Sequence, residues 1–402
     1  MTATVDLAAR EAAPRAPSEL ELRLLATRAE MERRDLAALL LVSPENLYYL
    51  LGLDYQGYFA FSLLLLPREG QPVLVTRAME APTIRARVPG CRHLPFHDGQ
   101  DPVTIVAEAI RSTALSGTAV GVEDTAMFFP PAIWARLRAE LPGLEWVSAG
   151  DIPQRLREIK SAAELTHVRR AAALSTSAMN AGIATIAPGA PQPRVAAAVY
   201  HAMISQGSQQ PGFAPLIRPT AILQQEHVTW DDEVVSAGDG LFLELSAAVR
   251  RYHAPLSRTL YVERAPAEAT IAHDAALAGL RAITAALRPG VALSAVYAAW
   301  AEAVNQVHPQ IGALPRHHCG YLVGIGFPPS WVGGGEVLGI RPDTDRVVRT
   351  GMTFHAMSWV QEPTGYVMSD TVAVTENGCE LLTDVSREFT VVGDTQAKEA
   401  TA

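Results

Sequence analysis

A period-two pattern of hydrophobic residues over 241–249 predicts a β-strand in the second half of the chain. Three leucines there alternate with other side chains, which is typical of a strand that has one buried face. Glu244 lies in the middle of this strand, on the face opposite the leucines. A turn is expected before it at 237–240, and a second strand after it over 252–262. The pattern therefore places a carboxylate in mid-strand, where it needs a partner or a chemical role.

The pattern over 19–155 predicts a separate α/β domain. Helical periodicity begins at Glu19, and a continuous apolar run at 36–42 is typical of a buried strand. Further elements follow in alternation, with strand-like runs at 61–66, 73–76 and 119–123 and helical patterns at 103–112 and 131–141. Alternating strands and helices favour a sheet with helices packed against it.

A second domain is expected over 156–393. Ser161 and Glu164 form a capping-box signature that begins a long alanine-rich helix. A helix, a Pro-Gly pair and a second helix then occur twice, with the pairs at 188–189 and 289–290. Proline cannot continue a helix, and glycine tolerates the turn that follows. The repetition predicts an α+β domain with a pseudo-twofold arrangement of helices and sheet.

The last part of this domain, 366–383, predicts a strand, an Asn-Gly turn at 377–378 and a final strand. Two histidines, His253 and His355, lie in strand regions beside apolar residues. Each is compatible with a satisfied core histidine or with a substrate-binding role, and the pattern leaves both alternatives open.

The length of the chain indicates the number of domains, and its charge and apolar runs argue against several classes of protein. A chain of 402 residues exceeds the ~250–300 residues that one core usually holds, which favours two domains. The net charge of -9 comes with mixed signs and no long basic run, which indicates neither a nucleic-acid partner nor a membrane-surface partner. The longest apolar run, 59–66, is much shorter than the ~20 residues of a membrane span.

The three cysteines, Cys91, Cys319 and Cys379, are scattered and form no CxxC pair. Their spacing indicates neither a disulfide framework nor a thiolate zinc site, and it favours a reducing, cytoplasmic setting. The first eighteen residues lack the apolar core of a signal peptide. We expect 1–18 and 394–402 to be disordered tails.

Five stretches of the second domain, in this order, resemble the pita-bread superfamily of prolidases, aminopeptidase P, methionine aminopeptidases and creatinase. They are LREIKSAAELTHVRRAA, GDGLFLELSAAVRRYHAPLSRT, HHCGYLVGIG, GMTFHAM and SDTVAVTENG, and they lie within 155–385. The resemblance implies a pita-bread catalytic domain that follows a smaller, creatinase-type N-terminal α/β domain.

Metallopeptidases of this superfamily hold two metal ions through two Asp, one His and two Glu. Carried over position by position, these ligands fall on Glu244, Pro255, Tyr321, Met357 and Ser369. Pro, Met and Ser cannot replace carboxylates that bind and bridge hard dications. A further catalytic histidine of the peptidases falls on Pro328. The resemblance therefore implies a member of the superfamily that works without a metal or another cofactor.

Creatinase is a metal-free member, and its catalytic histidine falls on His227, but its tyrosine and glutamate fall on His253 and Ser257. The creatine-hydrolysing set is therefore incomplete. The chain resembles the metal-free ectoine hydrolase family more closely. The shared strings are HxTWDD at 227–232, RYHAPxSRT at 251–259, CGYxxGIxxPPxW at 319–331 and GMTFHxM at 351–357. Several of the residues that abolish the metal site lie within these strings.

This resemblance implies that Glu244 is a nucleophile that forms a covalent adduct and that His227 acts nearby as acid and base. The expected reaction opens a C–N bond of a cyclic amidine, ectoine or 5-hydroxyectoine, to give an N-acetyl-diaminobutyrate. A cyclic amidinium already carries positive charge on its N–C–N carbon, so that the activation a metal would supply is partly built into the substrate.

Other residues are expected to bind the small-molecule substrate. They are His253, Tyr321, His355, Asp231 and Asp232, with Arg218 as a candidate carboxylate clamp and Glu362 near the family's last acidic position. An Asp pair before a turn often serves only to bend the chain.

The N-terminal domain in this superfamily usually reaches across a homodimer. Tyr55, Tyr58 and Phe59 are expected either to line the neighbour's pocket, where aromatic faces suit a cation, or to pack against their own sheet.

Three alternatives remain at this point. The same mechanism could act on another small amidine, a guanidine or a cyclic amide. The fold could also serve as a catalytically inactive binding domain, or it could retain metallopeptidase activity. Glu244 as a general base rather than a nucleophile is equally compatible with the sequence.

Overall fold

The computed structural model divides into two compact units, Met1–Asp124 with Phe129–Leu156, and Thr125–Phe128 with Arg157–Ala402. It describes residues 17–115, 117–307, 316–333, 335, 337–361 and 363–393. The predicted tails lie outside this described part, apart from residues 17 and 18. None of the described helices is long and apolar enough to cross a membrane.

The first unit is an α/β sandwich of the predicted kind. Its helices are α1 (Glu19–Arg33), α2 (Pro44–Leu51), α3 (Ala81–Arg87), α4 (Pro102–Ser112) and α5 (Pro131–Glu140), and α6 (Asp151–Glu158) runs across the boundary to the second unit. Its strands are β1 (Ala38–Leu41), β2 (Leu63–Pro67), β3 (Val73–Arg77), β4 (Arg92–Phe96), β5 (Ala119–Val122) and β6 (Glu145–Ser148).

The strands of this unit form a mixed sheet in the order β4-β3-β2-β1-β5-β6. Its centre is β1, which is buried along its whole length and pairs antiparallel with β2 and parallel with β5. A strand buried on both faces has a continuous apolar sequence, which is why the run at 36–42 predicted it. Ser18 caps α1 in a capping box with Glu21, which fixes the start of the first helix.

The second unit contains two helix pairs and a larger sheet. The helices are α7 (Ala162–Ile183), α8 (Gln192–Ser205), α9 (Ala269–Ala286) and α10 (Leu293–Val307). The strands are β7 (Leu216–Pro219), β8 (Gly240–Leu245), β9 (Ala248–Val249), β10 (Tyr252–His253), β11 (Leu256–Val262), β12 (Gly320–Leu322), β13 (Thr353–Val360), β14 (Tyr366–Thr375), β15 (Gly378–Leu381) and β16 (Val391–Val392).

The main sheet has the order β12-β13-β14-β11-β8-β7, with β15 beside β14 and β16 beside β11. Both helix pairs pack on the same face of it. Helices α7 and α8 cover the leucines of β8 and β11, while α9 and α10 cover the apolar residues of β13 and β14. The two halves therefore repeat one arrangement of two helices on three strands, and the predicted pseudo-twofold α+β fold is confirmed.

The turns that were expected from glycine are present. Gly189 and Gly290, which follow the two prolines, have φ of +83° and +91°, a region that residues with a Cβ rarely adopt. The Asn-Gly pair at 377–378 joins β14 to β15 as an antiparallel hairpin. These positions end one element and begin the next as the sequence indicated.

Two expectations for the central stretch were wrong. Each of the two predicted strands, 241–249 and 252–262, is divided in two, with breaks at 246–247 and 254–255. Pro255 has no N–H to donate to a ladder, which accounts for the second break. Arg250 and Arg251, with positive φ, form the turn between β9 and β10. The strand is also buried on both faces, since every residue of β8 is buried. Side chains from loops and neighbouring strands cover the face that was expected to meet solvent.

Candidate active site

Four side chains form a row across the sheet on the face opposite the helices. Glu244 on β8 pairs with Ser257 on β11, Ser257 pairs with Ser369 on β14, and Ser369 pairs with Met357 on β13. Directly paired residues project to the same face of a sheet. His355 lies two residues before Met357 and therefore joins this face. The row brings together residues that are more than a hundred positions apart in the chain.

A chain of hydrogen bonds runs along the second half of this row. Ser257 Oγ lies 2.6 Å from Ser369 Oγ, which lies 2.6 Å from His355 Nε2. His355 Nδ1 lies 2.9 Å from Tyr321 Oη, and Trp331 Nε1 donates to the same oxygen at 3.0 Å. Both nitrogens of His355 are thereby engaged, so its ring orientation is fixed.

The groups in this chain are neutral near pH 7. Burial, and to a smaller extent the nearby His318, lowers the pKa of His355 to about 3. Burial also raises the pKa of Tyr321 far above its usual value. His355 Nε2 lies 3.8 Å from Glu244 Oε1, which is too long for a hydrogen bond. Glu244 therefore faces a neutral, fixed surface on this side.

Glu244 is buried, with 7% of its surface exposed. Burial raises the pKa of its carboxyl group to about 7, although Arg218 and Arg316 lower it in part. Within the described part of the chain its carboxylate accepts no hydrogen bond. A carboxyl group that titrates near neutral pH without hydrogen-bond partners is free to bind a cation or to attack an electrophile.

An aromatic wall connects Glu244's neighbours to His227. The ring of His227 is stacked on Phe213 with centroids 6.0 Å apart, and Phe213 meets Trp331 edge-on at 4.7 Å. The ring of Tyr321 continues the wall to His355, with centroids 5.2 Å apart. His227 itself is exposed on the loop before β8. The wall presents aromatic faces of the kind that attract cations.

His253 positions the loop that carries Phe213. Its Nε2 accepts a hydrogen bond from the backbone of Gly212 at 2.9 Å, and its Nδ1 lies 2.9 Å from the carbonyl of Arg251. A Cβ on Gly212 would lie 2.4 Å from the backbone of Ser330 and Trp331, so that only glycine allows this approach. Both nitrogens of His253 thus have backbone partners, which is the arrangement expected of a core histidine.

Arg218 supports the loop that carries His227. It is buried, and it donates to the carbonyls of Leu223 and Val228 at 3.2 Å each. Its guanidinium lies over Phe242, 4.5 Å from the ring centroid. These contacts commit Arg218 to the loop, where its charge acts on Glu244 from a distance.

Sequence reasoning missed a second arginine beside the site. Arg316 Nη1 and Nη2 donate to the two carboxylate oxygens of Glu226 at 2.8 and 2.7 Å. Its guanidinium stacks on Trp359, 3.9 Å from the centroid. Glu226 directly precedes His227, so this ion pair is a second arginine contact of the loop that carries His227. Neither residue lies in a periodic pattern that would reveal it.

The acidic candidates outside the row have other surroundings. Asp231 and Asp232 are exposed, and Asp231 Oδ1 accepts a hydrogen bond from the backbone of Glu233 at 2.9 Å, which is a turn-forming contact. Glu362 lies outside the described residues. Asp370, a buried acid on β14, is held by the guanidinium groups of Arg258 at 3.0 Å and Arg387 at 2.7 Å.

The aromatic candidates of the first unit lie near its strand β2. Tyr55 and Tyr58 are buried in that unit, and Tyr55 Oη lies 2.7 Å from Ser62 Oγ. Phe59 is 74% exposed. Of the three side chains, Phe59 is the most exposed, and the guanidinium of Arg77 lies 5.9 Å from its ring centroid.

The residues at the five ligand positions do not fit a pair of hard dications. Glu244 supplies the one carboxylate, while Tyr321 is engaged by His355 and Trp331. Pro255 and Met357 offer no oxygen ligand from their side chains, and Ser369 is engaged by His355. Throughout the described ranges, no group of three or more His, Cys, Asp or Glu residues is placed to hold an ion.

Comparison with known proteins identifies both units. Residues 166–376 match the metallopeptidase family M24, and residues 23–159 match the creatinase/prolidase N-terminal domain. The chain is 29% identical to ectoine hydrolase from Halomonas elongata over 389 residues, which is 92% of this chain and 96% of that protein.

Solved structures agree on the fold. The dipeptidase PepE from Mycobacterium ulcerans has a TM-score of 0.79 at 24% identity, with 93% of this chain and 98% of that chain covered. A prolidase from Thermococcus sibiricus has a TM-score of 0.83 at 18% identity, with 94% and 100% covered. At these identities the likeness establishes the arrangement of the chain.

Proposed function

Because the chain belongs to metallopeptidase family M24, a family of hydrolases, we propose that it is a metal-independent member that opens a cyclic amidine. The proposed substrate is ectoine or 5-hydroxyectoine, and the product is an N-acetyl-diaminobutyrate. The similarity to ectoine hydrolase over nearly the whole chain supports this substrate class. No cofactor is required by the reaction.

One observation carries the proposal: the buried Glu244 carboxyl has a pKa of about 7, raised by burial, and accepts no hydrogen bond from the described residues. A structural carboxylate in a core is normally paired and hydrogen-bonded. A carboxylate left open beside an aromatic wall is suited to a positively charged, flat substrate. An amidinium ring has this charge and this shape.

The proposed reaction begins with attack of a Glu244 oxygen on the N–C–N carbon of the amidinium. A C–O bond forms, and the π electrons move to a ring nitrogen. His227 then donates a proton to one ring nitrogen, and that C–N bond breaks to leave an acyl-imidate on Glu244.

Water completes the cycle. His227 accepts a proton from the attacking water, which adds to the substrate carbon, and the C–O bond to Glu244 breaks. As that bond breaks, the remaining hydroxyl proton passes to the amine, so the products are an amide and a protonated amine, and Glu244 returns as a carboxylate. The net change is addition of one water, and no oxidant, reductant or metal enters the balance.

The neutral chain of His355 and Tyr321 supports this order of events. A buried cation in contact with Glu244 would compete with the cationic substrate for the carboxylate. Since His355 is uncharged and held at both nitrogens, it can shape the pocket without neutralising the nucleophile.

We further propose that the protein acts as a cytoplasmic homodimer, in which the first unit of one protomer lines the pocket of its partner. The exposure of Phe59 supports it as the residue that reaches the neighbour, whereas Tyr55 and Tyr58 pack within their own unit. Sedimentation velocity of the purified protein tests the dimer.

The function is tested by incubating purified, chelator-treated protein with ectoine and following ring opening by NMR. We expect the N-acetyl product at the same rate before and after chelation. A folded protein that leaves ectoine intact would refute the substrate. If another small amidine or guanidine is opened instead, the mechanism stands with a different substrate, and activity that requires added manganese would support the peptidase alternative.

A further inference from the structure

The ion pair between Arg316 and Glu226 has an unequal environment. The Arg316 side chain is 10% exposed, whereas the Glu226 side chain is 44% exposed. Partial burial would raise the pKa of Glu226, but hydrogen bonds and charge from Arg316 bring it below its usual value. The arginine is therefore the fixed partner of the pair, and the carboxylate is the partner that can leave toward solvent.

Stacking on Trp359 holds Arg316 without using its hydrogen-bond donors, since the guanidinium lies over the ring, 3.9 Å from its centroid. The two terminal nitrogens donate to one carboxylate group, that of Glu226. A flat guanidinium with two parallel donors recognises a carboxylate in particular. The Glu226 side chain demonstrates that a carboxylate fits this position.

Two buried donors beside this position have no partner in the described structure. They are Arg316 Nε and the indole Nε1 of Trp359. Buried N–H groups without an acceptor are rare, and each such group costs free energy. The two lie on residues that are stacked together, so an added carboxylate oxygen or a water would satisfy a donor there.

We propose that Arg316 binds the carboxylate group of the substrate and that Glu226 occupies this position only until the substrate arrives. The inference rests on the proposed function for the identity of the substrate and deepens it. It replaces Arg218 as the carboxylate clamp, because the terminal nitrogens of Arg218 already hold the His227 loop. One carboxylate replaces another on the same fork, so the exchange requires no new charge to be buried.

The exchange has a consequence for His227. Glu226 is its neighbour in the chain and its charge lies close enough to interact with the imidazole. When Glu226 leaves Arg316, the segment that carries His227 loses one of its anchors. Binding of the substrate carboxylate and placement of His227 are therefore coupled through a single residue.

The test compares two substrates that differ only in the carboxylate: ectoine and 2-methyl-1,4,5,6-tetrahydropyrimidine. For Arg316→Gln we expect kcat/KM for ectoine to fall about 100-fold, while the value for the ring without a carboxylate stays within about threefold. Equal losses on both compounds would mean that Arg316 is only structural and would overturn the proposal.

Glu226→Gln removes the resident competitor. We expect its KM for ectoine to fall several-fold, with no change in KM for the ring without a carboxylate. An increase in the KM for ectoine would overturn the exchange. Arg169→Gln is the matched control, since Arg169 forms a comparable ion pair with Glu380 on the surface of the same unit at 2.7 Å. This control should change neither KM nor kcat/KM for either substrate.

A binding measurement separates this inference from the proposed function. Butyrate is added to wild type and to Arg316→Gln, and the melting temperature is recorded. If wild type opens neither ring compound but butyrate stabilises it and not the variant, the proposed function fails and the carboxylate site stands. If butyrate stabilises neither protein, the carboxylate site is refuted whatever the activity on ectoine.

Discussion

The two halves of the second unit share one architecture but differ at equivalent positions. In the first half α7 and α8 cover β7, β8 and β11, and in the second α9 and α10 cover β12, β13 and β14. The pairing of Ser257 with Ser369 joins them at the centre. One strand outward on each side lie Glu244 and Met357, which are therefore related by the pseudo-twofold.

At these two equivalent positions the first half has an acidic side chain and the second half has a neutral one. The first half retains a carboxylate whose pKa is raised to about 7, and the loop before it carries His227. The second half has a thioether at the equivalent position, beside a chain of neutral hydrogen-bonding groups from Ser369 to Trp331. The pseudo-twofold would allow a carboxylate at both positions, but only the first half has one. We call the first the acidic half and the second the neutral half.

The largest effect is expected when the Glu244 carboxylate, which distinguishes the first half from the second, is removed. We expect Glu244→Gln to lower turnover of the substrate by at least about 10,000-fold, because the amide has nearly the same shape but cannot act as a nucleophile. The measurement is a single-turnover assay by NMR or mass spectrometry. The control is Glu380→Gln, which changes an exposed glutamate of the same unit and should leave turnover unchanged.

The role of the acid can be resolved by quenching wild type with acid during turnover. If Glu244 is the nucleophile, the quenched protein should carry a covalent adduct on the peptide that contains Glu244, which denaturing mass spectrometry detects. An active site that turns over without any adduct would indicate that Glu244 acts as a general base. Full activity of Glu244→Gln would contradict both roles.

Sequence periodicity was sufficient for the fold and for the position of Glu244. Alternating leucines located β8, and the Pro-Gly repeats located the two helix pairs, because both patterns follow from burying one face of a regular element. The burial of the opposite face was not predictable, since it depends on side chains such as Trp359 and Leu223 that lie in other parts of the chain.

Contacts made by loop residues could not be predicted from the sequence either. Arg316 and Glu226 are ninety positions apart, and nothing in their local patterns connects them. His253 and His355 lie in similar strand contexts, yet one is bonded to backbone groups and the other joins the row with Glu244. Only the three-dimensional partners reveal this difference between the two histidines.

A carboxylate at Met357 would give the second half the same kind of side chain that Glu244 gives the first. We expect Met357→Glu to lower the free energy of unfolding by about 3 kcal/mol, because a buried carboxylate would lack a paired cation. Manganese should not bind in stoichiometric amount, since the side chains of Pro255 and Tyr321 do not replace the missing ligands. Chemical denaturation and metal analysis measure the two outcomes.

Met357→Leu is the control for this substitution, with an expected loss below about 1.5 kcal/mol because the volume and polarity are preserved. If Met357→Glu bound manganese tightly and became more stable, the neutral half would be one substitution away from a metal site. That result would contradict the distinction between the two halves.

The raised pKa of Glu244 predicts how stability and activity of the acidic half depend on pH. Its folded-state value of about 7 exceeds the usual 4.5, so the folded state holds the proton more tightly than the unfolded state. The resulting stabilisation is fully present below pH 4.5 and is lost as the pH rises through 7. Turnover should show the opposite trend, since the nucleophile is the ionised form.

Denaturation of wild type and Glu244→Gln at pH 5 and pH 8 measures this effect. We expect wild type to lose roughly 2 kcal/mol relative to the variant over that interval. The rate of ectoine opening by wild type should rise with pH through about pH 7. Parallel stability profiles for the two proteins would mean that the pKa of Glu244 is not raised.

The smallest effect is expected where the two halves meet, at the serine pair. Ser369→Ala removes the hydrogen-bond partner of both His355 Nε2 and Ser257 Oγ, which should cost about 1–2 kcal/mol of stability and lower kcat about tenfold. Ser257→Ala is the matched control, because it leaves the bond between His355 and Ser369 in place and should keep kcat near wild type. If both variants lost kcat equally, orientation of His355 would not matter, and the neutral half would only complete the sheet. Unequal losses would mean that the neutral half acts through the ring of His355, held 3.8 Å from the acid of the other half.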